Sequence, residues 1–400
     1  MRTPVTNPFR ILLYSHDSVG LGHIRRNLAL AHELATRLPE LSGRPVTGML
    51  LTGVGYSAEL DVPVGFDVVL LPGVRKGDEG YEPRNVHVPM TDLIDIRERV
   101  LGGVIRGFAP DLIVVDRHAY GIDGELRTAL AGVRKHRPST RIVLGLREVI
   151  DETSATAAEW ARLGDLAEFR SIFDEIWVYG DPQVHDVRVS GELPAALHDL
   201  VHYTGYLATG RHWLPEREPT PVPFVLTMVG GGSDGAALCR LAAAATVPDG
   251  HRHVVVTGPQ MSPEDRASIQ QLAGPDVTLV PAVPDGLAMI RSASALVCMA
   301  GYNTACEVMS TRTPALLVPR EAPRKEQLIR AESLNVAGAV DVRRLEQLTP
   351  QILSDWLRQS VTRAQPREHI HLAGLASVTN LVAETIRRSQ ISKELTDAAG

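Results

Sequence analysis

The sequence predicts an α/β protein of two domains, each a mostly parallel sheet flanked by helices. Three observations carry this. Short apolar runs alternate with amphipathic stretches along the 400 residues, the pattern of repeated βα units. A chain of that length exceeds one ordinary core. A proline-rich, charged, aperiodic stretch, TGRHWLPEREPTPVP at 209–223, then interrupts the alternation, which is linker chemistry. The division that follows is a first domain at 1–208, the linker, a second domain at 224–368, and a C-terminal helix and tail at 369–400 that cross back to the first domain.

In the first domain the apolar runs place strands at Ile11–Tyr14, Val46–Leu51, Val68–Leu71, Leu112–Val115, Ile142–Leu146 and Ile176–Tyr179, with helical periodicity at Leu93–Phe108 and Gly124–Lys135. After the linker they recur at Phe224–Val229, Val254–Thr257, Val277–Val280, Ala295–Met299 and Ala315–Val318. Both halves open with strand, glycine turn and helix.

Composition narrows the function classes. Hydrophobic content of 44% with 22% charged residues is that of a globular protein, and a net charge of −6 gives no general attraction to nucleic acid or an anionic membrane. Cys239, Cys298 and Cys306 form no CxxC pair and sit in apolar segments, so they read as small buried hydrophobes in a reducing compartment. The N-terminus MRTPVTNPFR lacks the apolar core of a signal peptide, and no apolar run approaches the ~20 residues of a membrane helix. These features predict a cytoplasmic protein with no membrane segment; none sets an oligomeric state.

The chemistry is expected at the glycine turns, because ligands of such sheets bind outside the carboxyl ends of the strands. YSHDSVGLGHIRRNLALAHELA at 14–35 runs from strand through turn to helix and places His23 behind Gly22. VGGGSDG at 229–235 puts Gly231, Gly232 and Ser233 before a helix that begins at Asp234. Glycine lets backbone N–H groups approach an anion, and the helix start adds partial positive charge; the same pattern also serves a tight structural turn. In SALVCMAGYNTACEVM at 294–309, Asn303 or Thr304 is expected to cap a short helix, with Glu307 one turn along. Glu307 can accept hydrogen bonds from ribose hydroxyls or serve the helix N-terminus electrostatically. Glu326 and Gln327 open a later helix, where they can meet sugar hydroxyls or form a polar first turn. Arg25 and Arg26 suit phosphate or carboxylate contacts, although solvated helix arginines are commoner.

The order of these motifs resembles the GT-B glycosyltransferases, most closely the MurG-like branch, across nearly the whole chain and most strongly from Val277 to Leu334. The resemblance implies two Rossmann-like, doubly wound domains facing a cleft, and sugar transfer from a nucleotide sugar, a UDP-sugar favoured, to a small-molecule or glycan acceptor. By the same likeness Ala282 and Val283 hold the base, the Gly301–Thr304 turn (with Tyr302 and Asn303) binds the diphosphate, and Glu307 takes the ribose. Gln327 and Glu326 meet the donor sugar, and Gly22, Gly231, Gly232 and Ser233 lie around the diphosphate. His23 becomes the general base, with His16 and Asp17 to orient or replace it. Asp116, His118 and Glu125, in VVDRHAYGIDGEL, are expected on the acceptor side. No DxD-type metal motif stands in a fitting position, so no metal and no cofactor is expected.

GLGHIRR also resembles the loop of the nucleotide-sugar hydrolase of the pseudaminic acid pathway, in which the histidine would activate water. A sugar-nucleotide 2-epimerase and a non-enzymatic nucleotide-sugar-binding protein are further readings. The spacing after Gly301 speaks against the epimerase, and the intact Gly-His and Glu307 speak against the binding protein.

Overall fold

The computed structural model describes residues 7–16, 22–54, 61–77, 80–212 and 222–399. In the first domain the strands are β1 (Phe9–Ser15), β2 (Val46–Thr52), β3 (Phe66–Leu70), β4 (Val74–Lys76), β5 (Tyr81–Pro83), β6 (Leu112–Asp116), β7 (Arg141–Arg147), β8 (Glu175–Tyr179) and β9 (Val201–Tyr203). Seven of them form one parallel sheet, ordered β3-β2-β1-β6-β7-β8-β9, while β4 and β5 pair as a small antiparallel ribbon. The second domain contains β10 (Phe224–Met228), β11 (Arg252–Val256), β12 (Val277–Val280), β13 (Ala295–Cys298), β14 (Ala315–Leu317) and β15 (Asp341–Val342). They form a parallel sheet in the order β12-β11-β10-β13-β14-β15. The order reverses beside β1 in one sheet and beside β10 in the other, so each sheet offers a crevice at that point.

The central strands are buried on both faces, which is why they read as continuous apolar runs and not as alternation. β6 is buried at every position, and β1 at all but one. The covering helices are α1 (Gly22–Ser42), α2 (Met90–Phe108), α3 (Arg127–His136), α4 (Thr153–Leu163), α5 (Leu166–Ile172), α6 (Ala236–Ala244), α7 (Pro263–Leu272), α8 (Gly286–Ser292), α9 (Tyr302–Met309), α10 (Glu326–Val336), α11 (Pro350–Ser360) and α12 (Gly374–Ala399). α3 starts later than the periodicity suggests because Asp123 and Gly124 adopt left-handed conformations, with φ of 47° and 85°. Helix periodicity alone does not see that break.

α12 returns to the first domain and packs on α1. Its entry is fixed by backbone bonds: Tyr206 N–H donates to His371 O and Gly374 N–H donates to Tyr206 O, at 2.8 and 2.9 Å. A Cβ on Gly374 would stand 2.3 Å from Gly205 O, so only glycine permits this crossing. Leu28 and Leu34 of α1, Leu375 and Val382 of α12, and Tyr206 and Tyr302 belong to one buried cluster that continues into the second sheet. Among the described residues no helix is long and apolar enough to cross a membrane. All three cysteines are buried and unpaired.

Polar contacts lock the seam. Arg330 of α10 forms a fully buried ion pair with Glu148, just after β7, at 2.7 Å, and also donates to Ala300 O at 3.0 Å. Arg324 reaches Glu159 at 2.9 Å and Lys325 reaches Glu152 at 2.7 Å. The Tyr302 hydroxyl donates to Tyr179 O at 2.9 Å.

Removing one partner of a buried ion pair strands the other charge. Glu148→Gln is therefore expected to lower unfolding stability by about 3–5 kcal/mol. Asp95→Ala, which breaks the exposed Arg99–Asp95 pair, should leave the melting curve unchanged. Equal, small effects of the two substitutions in denaturant titrations would show that the Glu148–Arg330 pair does not hold the seam.

Candidate active site

The site is built where the first sheet's crevice meets the amino end of α9. β1 ends at Ser15, directly beside Asp116 at the end of β6. α1 is tied to this corner by Asn27, whose amide donates to Tyr14 O at 3.1 Å and to Ser15 Oγ at 2.8 Å. That anchoring places His23, in the first turn of α1, over the strand ends. Its Nδ1 lies 2.9 Å from Asp116 Oδ2, and its side chain keeps 24% of its exposure while Asp116 keeps 1%.

Arg26, one turn on, is buried and holds the two oxygens of Asp116 at 2.8 and 2.7 Å. Arg26 Nη2 also lies 3.1 Å from His23 Nδ1. The ionised Asp116 carboxylate can only accept, so it is the acceptor for both neighbours, Arg26 Nη2 and His23 Nδ1. The proton therefore sits on Nδ1 and Nε2 carries the lone pair. Burial raises the Asp116 carboxyl, but the charges of Arg26 and His23 outweigh it and hold the pKa below the ordinary value. Burial also pulls His23 down; Asp116 opposes this, while Arg26 and Arg147 add to it. His23 is thus neutral at neutral pH.

His16 and His118 complete a cluster. Their rings lie 4.3 Å apart, and His16 is 5.8 Å from His23. His16 Nε2 meets the Tyr81 hydroxyl of the ribbon at 2.9 Å, whereas its Nδ1 is buried without a partner. Burial, then His118 and His23, keep the pKa of His16 well below the ordinary value; burial and Arg117 push His118 down to about 3. Arg117 and His118 are both left-handed, at φ 34° and 61°, a strain of the kind that clusters at functional sites.

The second domain contributes α9. Asn303 donates to Gly22 O at 2.7 Å and accepts from Arg211 at 3.0 Å. Its helix start therefore abuts the residue before His23. Glu307, one turn further along α9, is buried; Arg25 holds its Oε1 at 2.9 Å and Arg211 stands 3.8 Å away. A Cβ on Gly286, at the start of α8, would lie 3.5 Å from Glu307 Oε2. This carboxylate thus faces the loop that carries Ala282 and Val283. In the other glycine turn Gly232 has φ 92°, and a Cβ there would fall 2.2 Å from Thr257 O. Gly231 and Ser233 are exposed beside it. Glu326 is buried, with Oε1 2.5 Å from Arg320. Gln327 Oε1 accepts from Arg320 N–H at 3.3 Å.

Several expectations are corrected. Glu125 does not line the acceptor side: it is buried under the sheet, ion-paired with Arg97 and bonded by the Tyr14 hydroxyl. Asp116 leaves the acceptor set and becomes the carboxylate that holds His23. Arg26 is a buried counter-ion, not a solvated helix arginine. Neither Asn303 nor Thr304 caps α9, whose N-cap is Gly301 without a side-chain bond, because Asn303 is drawn to Gly22 and Arg211. The Tyr302 ring points into the seam, so only its backbone is left for an anion. α6 begins at Ala236, two residues after the expected start. Asp17 lies outside the described residues. Arg147 and Arg211 were not singled out from the sequence. A charged residue closing an apolar strand was the available signal for Arg147, whereas nothing local marks Arg211.

Among the described residues, donor atoms of His32, Asp61 and His212 lie within 4.8 Å of one another. The two rings are stacked at 5°, and His32 Nε2 is 2.8 Å from Asp61 O. In-plane lone pairs of parallel rings cannot converge on one ion, so this group reads as a hydrogen-bonded stack.

Comparisons with known proteins agree with the fold. Residues 226–382 match the glycosyltransferase family 28 C-terminal domain. An uncharacterized glycosyltransferase of Methanosarcina mazei is 24% identical over 322 residues, covering 77% of this chain and 79% of that protein. The UDP-N-acetylglucosamine–N-acetylmuramyl-(pentapeptide) pyrophosphoryl-undecaprenol N-acetylglucosamine transferase of Burkholderia cenocepacia is 30% identical over 186 residues, 44% of this chain and 49% of that one. Among solved structures, Acinetobacter baumannii MurG superposes with a TM-score of 0.55 at 16% identity, over 94% of this chain and all (100%) of that one. The glycosyltransferase VinC in complex with dTDP superposes at 0.59 and 17%, over 95% and 99%. The chain is a glycosyltransferase of the GT-B fold, its second domain matches the glycosyltransferase family 28 C-terminal domain, and it is similar to the MurG-like branch.

Proposed function

We propose that the protein transfers a sugar from a nucleoside-diphosphate sugar, a UDP-sugar favoured, to a hydroxyl or amine of a small-molecule or glycan acceptor. Transfer is metal-independent and inverting, with His23 as general base. The observation that carries this is the bond from Asn303 to Gly22 O. It sets an Asp116-held, neutral histidine against the amino end of α9, the natural place for a diphosphate. His23 Nε2 takes the acceptor proton as the acceptor oxygen or nitrogen bonds to the anomeric carbon. The bond from that carbon to the phosphate oxygen breaks, and its electron pair leaves with the diphosphate. Backbone N–H groups at the start of α9 and in the Gly231–Ser233 turn stabilise the departing charge. Glu307, beside the loop of Ala282 and Val283, takes the ribose hydroxyls. UDP is favoured because the Burkholderia relative is named for a UDP-sugar donor; the dTDP held by VinC makes dTDP the next to test.

His23→Ala should lower kcat by roughly 10²–10⁴-fold and leave nucleotide affinity almost unchanged; a parallel loss of affinity would remove the base assignment. Because His23 acts unprotonated and its pKa is depressed, activity should fall only as pH drops below the ordinary histidine value of about 6.5. A pH–rate profile whose acid limb lies above neutrality would contradict this.

A thermal-shift panel of UDP, dTDP, GDP, CDP and ADP tests the donor, followed by NMR of the matching nucleotide sugar. Selective stabilisation by UDP, with the sugar stable until a cell extract is added, is the expected result. Release of free sugar without acceptor would make water the acceptor and the protein a hydrolase. Glu307→Ala should weaken the selected diphosphate by about tenfold through lost ribose hydrogen bonds; wild-type affinity in calorimetry would end the ribose role.

A further inference from the structure

Four guanidinium groups crowd the seam, and the chain balances three of them. Arg26 has Asp116, Arg117 has Glu159 and Arg330 has Glu148. Arg147, the last residue of β7, is the exception. The side chain is half-buried, and among the described residues its buried Nε has no hydrogen-bond partner and no carboxylate makes an ion pair with it. Arg117, Arg330 and Arg26 stand close enough that their repulsion, after burial itself, pulls its pKa down to about 9, which leaves it charged at neutral pH. Across the seam Glu326 opens α10, with Oε1 taken by Arg320 and Oε2 buried without a partner. Arg147 and Glu326 influence each other's charge, yet no hydrogen bond joins them.

A fold that pairs three of four neighbouring arginines with carboxylates and leaves the fourth, half-buried, without one carries a repulsion that a bound anion would remove. The planar guanidinium fork matches the paired oxygens of a phosphate or carboxylate. An unbonded carboxylate oxygen opposite it suits a hydroxyl donor on the same ligand. We propose that Arg147 is an oxyanion-binding residue of the transferase cleft, taking a phosphate or carboxylate group of a substrate while Glu326 Oε2 accepts a hydroxyl of that substrate. This rests on the transferase reading. Two sources supply such a ligand: the glycosyl-phosphate end of the donor, where hydroxyls adjoin the β-phosphate, and an acidic acceptor. Arg26, Arg117 and Arg330 are already committed to carboxylates and cannot serve in its place.

The test compares the wild-type protein with Arg147→Gln and Arg147→Lys, using inorganic pyrophosphate, UDP and UMP as probes in thermal unfolding and calorimetry. Without ligand, Arg147→Gln should melt at or above the wild-type temperature, since a charge repelled by Arg117, Arg330 and Arg26 is gone. Stabilisation by pyrophosphate should disappear in Arg147→Gln and persist in part in Arg147→Lys, which keeps charge but not the fork. If the oxyanion is the donor's, UDP competes with pyrophosphate, and Arg147→Gln weakens UDP by about tenfold or more while UMP is unaffected. If it belongs to the acceptor, pyrophosphate still binds the UDP-saturated protein and UDP affinity is unchanged. Wild-type responses of Arg147→Gln to both pyrophosphate and UDP overturn the proposal. A wild-type protein that binds pyrophosphate through Arg147 but binds no nucleotide would end the donor reading and leave this site standing.

Discussion

The seam is organised by the need to neutralise arginines taken out of water. A buried guanidinium needs well-placed acceptors, and where these are carboxylates each pairing decides something larger. Glu148 meets Arg330 across 182 residues of chain and docks α10 onto the end of β7. Asp116 meets Arg26 across 90 residues and fixes the first turn of α1 over the end of β1. Because Asp116 has two oxygens and Arg26 spans both, the His23 imidazole gains an orienting partner from the pair that anchors its helix. Anchoring of α1 and orientation of His23 therefore rest on the same ion pair.

The fold explains why these groups can meet. In parallel sheets every strand presents its carboxyl end to the same edge, so Ser15, Asp116 and Gly145 lie in register and Arg147 closes β7 two residues further on. The reversal of strand order beside β1 opens a crevice there, and the left-handed turn of Arg117 and His118 lets β6 end abruptly enough to fill it. The second sheet repeats the device with α9. Tyr302 shows how tightly the two are joined: its ring lies beneath Arg26 and Arg330, 5.3 and 5.6 Å from their guanidinium carbons, and its hydroxyl bonds the first domain.

What the sequence revealed follows the range of the forces involved. Strand positions were legible to within a residue or two, because burial on both faces writes a continuous apolar run. The turn at 230–232 and the helix opening at Gly22-His23 were legible because turn chemistry is local; the turn expected just before Gly22 lies outside the described residues. The ribbon of β4 and β5 and the edge strands β9 and β15 were not, since two or three residues carry no period. Glu125 and Arg26 were misread for one reason: each is a charged residue whose partner is remote in sequence, Arg97 for one and Asp116 for the other. Without the partner, a charge reads as solvent-facing. Asn303 failed as a cap on similar grounds, since Gly22 and Arg211 compete for its amide from far along the chain.

The arginine cluster also bears on when His23 can act. Its basicity is a balance: burial, Arg26 and Arg147 lower it, and Asp116 raises it. Burial is the largest of these and Arg147 the smallest. The fold itself, by taking the imidazole out of water beside a fixed Asp116–Arg26 pair, therefore sets the neutral form of His23, and an anion on Arg147 would shift that balance only slightly.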